Sequence, residues 1–236
     1  MAVSDMFSFI DDPELPCKYT IKVGMLEIYN EELKDLLAPP EHRLHTGTRL
    51  QLKEDSEWGV VVSGLQEEKV SSVDRVRALL EKGSSRRQVG NTKLNENSSR
   101  SHTIFRIVIE SRQKDPQHAG TVVMSTLSFV DLAGSERLSK SGAEGSRAVE
   151  SAQINLSLLA LGNVIAKLAD GGGANGEFVP YRNSKLTRIL QPSLGGNART
   201  AIVATVRPGV QWAEETTHTL RFASRATRVT NRVQVN

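Results

Sequence analysis

Asp131, Gly134, Ser135 and Glu136 follow an apolar run, Val122–Val130, that reads as a buried strand. A carboxylate at the carboxyl end of such a strand can hold the water shell of a Mg²⁺ ion. A glycine a few residues on can set its backbone N–H against a phosphate, because no side chain stands in the way. The same residues also make an ordinary strand-ending turn, since Asp and Gly are common there. A second segment has comparable potential. Asn95 precedes Ser98, Ser99, Arg100, Ser101 and His102, which place three hydroxyls and a guanidinium within five residues, just before a β-rich run. These groups can ligate a metal or a phosphate and carry a gating ion pair. They equally suit a solvated Ser/Asn loop.

The elements around these segments follow from periodicity. Residues 2–10 carry Val3, Met6, Phe7 and Ile10 at helical spacing, and 19–29 alternate like a strand. Leu33, Leu36 and Leu37 suggest a short helix ended by Pro39 and Pro40, and 41–49 read as a polar loop. Short strands are expected near 50–53 and 59–62. Ser72 is positioned to cap an amphipathic helix over 72–82, with a polar loop over 83–100. Residues 101–111 and 121–130 read as strands joined by a hairpin-like connection. A long helix is expected over 147–169, then a Gly-rich loop at 171–176. A short basic helix at 184–191, an apolar strand at 199–206 and a closing helix at 213–228 complete the chain. No linker interrupts the sequence, so it reads as one α/β unit.

The 236 residues include 30 Lys+Arg and 27 Asp+Glu, a formal net charge of +3. That excess is too small to name a polyanionic partner by itself. Aromatic residues make up 5%, too few for a base-stacking platform, so nucleic acid is not an expected partner. The one cysteine, Cys17, excludes an intrachain disulfide framework and suits a reducing compartment. No run of 18 apolar residues is present and the first residues lack a basic n-region, so neither a membrane span nor a signal peptide is expected. His42 and His45 are spaced as ligands could be, but no third ligand accompanies them. No Gly-x-Ser-x-Gly elbow supports a hydrolase reading of Ser101 and His102. Arg221, Arg225 and Arg228 suit the exposed face of the last helix.

Taken together, the two chemical segments resemble the kinesin motor domain. Asn95, Ser98, Ser99, Arg100, Ser101 and His102 match the family's switch I, and Asp131 to Glu136 match switch II. Further matches lie in the right order: Glu27 to Glu31 with Asp35 to Leu37, Tyr181 to Arg188, Ser193 to Asn197, and Thr219 to Ala223. The resemblance implies an α/β fold, a mixed central sheet flanked by helices, of the kinesin-type P-loop NTPase class. It implies ATP and Mg²⁺ as cofactors, with Ser99 ligating the metal and Asp131 holding a metal-bound water. Asn95 would lie at the nucleotide and Ser98 near the γ-phosphate and attacking water. The Gly134 N–H would sense the γ-phosphate, and Arg100 would pair with Glu136 as the switches close. A γ-phosphate that orders both loops, then releases them on hydrolysis, is a recognised switching device.

The resemblance also implies microtubules as partner and the cytoplasmic cytoskeleton as location. Arg137, Lys140, Arg147, Tyr181, Arg182, Lys185 and Arg188 match tubulin-facing segments, and tubulin's acidic surface would steer them. The window 137–188 holds seven basic and four acidic residues, the whole formal excess. Leu156 and Asn183 stand where the family often has Lys and Asp, which puts one tubulin contact and one charge pair in doubt. A kinesin-7-like assignment is one reading of the subfamily.

One expected motif is missing. No Gly-x-x-x-x-Gly-Lys-Ser/Thr occurs in the 236 residues. The chain therefore resembles the C-terminal two-thirds of a motor domain, with residues 1–228 in that domain and 229–236 starting a neck linker. Dimerisation would use a coiled coil outside these residues. Without a neighbouring P-loop strand, Val122–Val130 should expose an apolar edge. Alone, such a polypeptide is expected neither to bind ATP tightly nor to hydrolyse it. A non-catalytic microtubule-binding or regulatory kinesin-like module is the competing reading.

Overall fold

The computed structural model describes residues 2–39, 50–56, 59–89, 100–115, 122–134, 146–173 and 177–234, with 146–155 as backbone only. The chain falls into two compact units. The first takes in residues 1–51 and 63–134, and the second 52–62 and 135–235.

The first unit is built on two long strands, β1 (Cys17–Tyr29) and β6 (His102–Gln113), paired antiparallel along their length. Val23 lies opposite Ile107 and Met25 opposite Phe105. On that face the sheet meets α1 (Ala2–Ile10) and α2 (Val73–Val89) through Phe7, Val76 and Leu79. Alternation along the strands puts these apolar residues together, and their burial is the main favourable term holding the unit. Two short strands also pair with β1: β2 (Glu32–Asp35), and β5 (Glu68–Val70) from the segment before α2. The remaining strand, β7 (Val122–Asp131), pairs with β6. Every described pairing in this sheet is antiparallel.

Four sequence expectations change here. Residues 32–35 are a strand, not the start of a helix, because Asn30 and Glu31 adopt left-handed φ values of 52° and 56°. They form a two-residue hairpin turn that sets Tyr29 against Glu32 and Leu26 against Asp35. The Asp35 carboxylate then accepts from the backbone N–H groups of Leu37, Ala38 and Gln66 at 2.7, 3.0 and 2.8 Å. Second, α2 continues through residues 83–89, which read as loop; the rest of that expected loop, 90–99, lies outside the described residues. Ser72 does cap the helix, its Oγ accepting from the Arg75 N–H at 3.2 Å. Gly83 lets the helix lie against β1, since a Cβ there would sit 2.1 Å from the Met25 sulfur. Arg86 fastens the last turn by donating to the carbonyls of Leu36 and Ala38 at 2.9 and 2.8 Å.

Third, β7 is not buried. It ends the sheet order β2-β1-β6-β7, and Leu127, Phe129 and Val130 are 37–43% exposed. Among the described residues no second strand pairs with β7, as the expected apolar edge requires. Fourth, residues 199–206 form no strand, and Ile202, Val203 and Val206 are exposed. An apolar run becomes a strand only when a partner strand takes its N–H and C=O groups.

The second unit contains the ribbon of β3 (Gln51–Asp55) and β4 (Gly59–Ser63), apart from its end residues. It also contains α3 (Ser146–Ala169), α4 (Lys185–Ile189) and α5 (Ala213–Ala226). Ala160, Leu161, Val164 and Ile165 of α3 are buried, as is Leu186 of α4. The segment expected to start a neck linker lies against residues 193–198. Asn231 accepts from the Gly195 N–H at 2.7 Å and donates to the carbonyls of Ala198 and Ser193 at 2.7 and 3.1 Å. Among the described residues, no helix is long and apolar enough to cross a membrane.

Candidate functional site

The β6–β7 register places Thr103 opposite Asp131. It therefore brings the end of the Ser/Arg/His segment beside the residues that follow β7. One cation joins them. Arg87, in the last turn of α2, donates from Nη1 to Asp131 Oδ2 at 2.7 Å. The same guanidinium donates to the Ser101 carbonyl at 3.0 Å and to Ser101 Oγ at 3.3 Å. Such charge-assisted bonds are stronger than neutral ones, and the planar fork fixes their directions.

His102 adds a second link. Its buried Nδ1 accepts the Ala133 N–H at 3.0 Å, which assigns the neutral tautomer with the proton on Nε2. Burial pushes the imidazole pKa down to about 4; the Arg87 charge adds to this and Asp131 opposes it. Ser101, Thr103 and Ala133 are buried too, so the backbone leading to Gly134 is held from both sides. The Asp131 side chain remains 69% exposed. An accessible carboxylate suits the water shell of a divalent cation, and the backbone N–H of the nearby Gly134 suits a phosphate oxygen.

Of the residues expected at this site, Arg100, Asp131 and Gly134 are described, and the fold brings their segments together. Asn95, Ser98, Ser99 and Glu136 lie outside the described residues, as do Arg137 and Lys140 of the polymer-facing set. Arg147 falls in the first turn of α3, where only the backbone is described. Arg87 was missed. Its partner Asp131 is 44 residues away in sequence, and one Arg of the Arg86–Arg87 pair at a helix end gives no local signal.

The basic segment 181–189 is held by its own short-range chemistry. Ser184 is extended (φ −149°, ψ 148°) and caps α4, its Oγ accepting from the Leu186 N–H at 3.1 Å. Thr187 Oγ1 lies 2.6 Å from the Tyr181 carbonyl and 2.9 Å from that of Ser184. The half-buried Tyr181 donates its hydroxyl to the Leu194 carbonyl, and burial raises its pKa. Tyr181 thus anchors the turn that carries Arg182 and Lys185. Arg182 and Arg188 both reach Glu54 on β3: Arg182 Nη2 at 2.9 and 3.2 Å from the two carboxylate oxygens, Arg188 Nη2 at 3.3 Å.

The family profile described as the kinesin motor domain matches residues 1–229. The chain belongs to the kinesin motor-domain family. This kinesin chain is 50% identical over its whole length to Kinesin-related protein 4 of Dictyostelium discoideum, covering 12% of that protein. It is 50% identical to Kinesin-like protein KIN-7I of Oryza sativa subsp. japonica, again over all of this chain, covering 19% of the relative. A solved fast kinesin superposes with TM-score 0.85 at 42% identity, over 99% of this chain and 63% of that one. The KIF14 dimer, in its two-heads-bound state with AMP-PNP on a microtubule, gives TM-score 0.85 at 37% identity, over 98% and 64%. The chain thus spans less than two-thirds of these solved chains and a small part of the two curated relatives. The expected kinesin fold class is borne out, and KIN-7 proteins are among the relatives.

Proposed function

We propose that these residues carry the switch segments and part of the microtubule-binding surface of a kinesin motor. The whole protein would move along microtubules by hydrolysing ATP, in the cytoskeleton of the cytoplasm. The observation that supports this reading is the Arg87 junction, which ties Ser101, in the segment that matches switch I, to Asp131, in the segment that matches switch II, in a chain of this family. Asp131 would hold a Mg²⁺-bound water and Ser99 would ligate the metal. Gly134 would offer its N–H to the γ-phosphate, beside Asn95 and Ser98, and Arg100 would pair with Glu136. Bound ATP and Mg²⁺ would supply the phosphate charge that orders both segments. Arg87 and His102 would hold the two strand ends in register while that charge comes and goes.

Arg137, Lys140, Arg147, Tyr181, Arg182, Lys185 and Arg188 would form the tubulin-facing set. A carboxylate-rich surface would attract these cations and make binding salt-sensitive. In the structures of relatives, AMP-PNP and a microtubule accompany the KIF14 dimer, which supports the same two partners here. Residues 1–228 would form part of the motor domain and 229–236 the start of a neck linker, with dimerisation through a coiled coil elsewhere.

A polypeptide of these 236 residues alone has no Walker A sequence to cradle the α- and β-phosphates. It is therefore expected to bind Mg·ATP too weakly to hydrolyse it. Titration calorimetry of Mg·ATP into the purified polypeptide tests this: the expected result is no saturable heat in the micromolar range, and a stoichiometric isotherm contradicts it.

A further inference from the structure

The arginines at the end of the chain take no part in the site described above, yet they surround one hydroxyl. Thr230 has Arg228 two residues before it, Arg232 two residues after it and Arg225 five before it. Three hydroxyls lie in this stretch, and the structure separates them. Ser224 is inside α5, where the backbone is committed to the helix. Thr227 is the C-cap of that helix, and its hydroxyl donates to the Ser224 carbonyl at 2.9 Å. Thr230 lies beyond the helix, in residues 229–234, which form neither helix nor strand. It is exposed, and its hydroxyl makes no hydrogen bond among the described residues. Arg228 is 58% exposed and lies 3.8 Å from Asp170, a loose surface pair that leaves its donors open to a partner.

The backbone just after Thr230 is held. Asn231 bonds to Gly195, Ser193 and Ala198, the Arg232 N–H donates to the Gly196 carbonyl at 3.0 Å, and the Gln234 N–H donates to Asn197 Oδ1 at 2.7 Å. An exposed hydroxyl on non-helical backbone, with a guanidinium on either side, fits a protein-kinase cleft whose carboxylates read flanking cations. We propose that Thr230 is a phosphate-acceptor site for an arginine-directed protein kinase, open when 229–234 leave residues 193–198. In the transfer Thr230 Oγ1 bonds to the γ-phosphorus of the kinase's Mg·ATP. The bond from that phosphorus to the β–γ bridging oxygen breaks and ADP leaves, while the hydroxyl proton passes to the kinase's catalytic carboxylate. The held contacts at 231, 232 and 234 fall within the stretch that the cleft has to take. Residues 193–198 and the kinase therefore compete for one segment, and the rate follows the released fraction. The product sets a phosphate between Arg228 and Arg232.

The test incubates the folded polypeptide with Mg·ATP and the catalytic domain of protein kinase C, and follows phosphate residue by residue with mass spectrometry. Phosphate is expected at Thr230 and not at Ser224 or Thr227. Arg228→Ala/Arg232→Ala should slow the reaction at Thr230 at least about tenfold, as the loss of charge-assisted bonds implies. Asn197→Ala frees the Gln234 N–H without touching the residues the kinase reads, and should speed the reaction about two- to tenfold. Thr200→Val removes an acceptor 3.2 Å from Asn231 Nδ2 and is a second variant with the same expectation. Circular dichroism of each variant identifies those that fold. No phosphate at Thr230, or a rate there that ignores the two arginines, overturns the proposal. So does a rate that stays the same or falls in the folded loosening variants.

Discussion

His102 can accept the Ala133 N–H only while its Nδ1 carries no proton. Its pKa of about 4 in the fold, against 6.5 in an unfolded chain, means that the unfolded state takes up the proton first. Stability from this residue is therefore fully present above about pH 6.5 and is lost as pH falls toward 4. At about pH 5 the loss should be about 2 kcal/mol. Urea unfolding followed by circular dichroism at about pH 7 and pH 5 measures it. His102→Asn, whose amide oxygen can accept the same bond without titrating, should show a smaller loss across that interval. Arg87→Ala removes three bonds at once and leaves the Asp131 carboxylate without its cation. We expect about 2–3 kcal/mol of destabilisation, with amide exchange accelerated at Ser101–Thr103 and at Asp131–Ala133 together. Acceleration in only one segment would show that Arg87 does not join them. Asp131 is marked in the sequence by its residue type and its place at the end of an apolar run, and the fold brings it to Arg87 beside Ser101. Arg87 and Glu54 were not legible, because their significance lies in partners that only the fold brings near.

The elements were legible where periodicity met a partner. β1, β6 and α3 announce themselves by length and pattern, and Ser184 marks the start of α4 as a cap should. Leu33, Leu36 and Leu37 have helical spacing, yet the left-handed pair Asn30 and Glu31 turns the chain back as a hairpin before any helix can begin. The run at 199–206 has strand composition but no described strand to pair with. β7 is the complementary case: among the described residues it pairs with β6 alone, and its Leu127 and Phe129 side chains are exposed on one face of the sheet. An exposed apolar edge templates pairing between copies. Phe129→Lys should therefore delay the rise in light scattering of a concentrated sample several-fold. The variant loses the tilted ring contact with Phe105, 6.4 Å between centroids, so its melting point should fall modestly. Faster aggregation at temperatures well below that melting point would contradict the role assigned to the edge.

At the scale of the molecule, the net charge of +3 said little until it was placed on a fold. The window 137–188 carries the whole formal excess, and Arg182 and Arg188 within it share the Glu54 carboxylate. The kinesin family follows from the profile match over residues 1–229. The polypeptide is expected to bind the filament independently of nucleotide. Co-sedimentation of the 236 residues with stabilised microtubules, with no nucleotide, with Mg·ADP and with Mg·AMP-PNP, measures this most directly. Saturable pelleting at low salt is expected, weakening as KCl rises and the same in all three nucleotide conditions. Absence of pelleting at low salt, or affinity that changes with the nucleotide added, would contradict it.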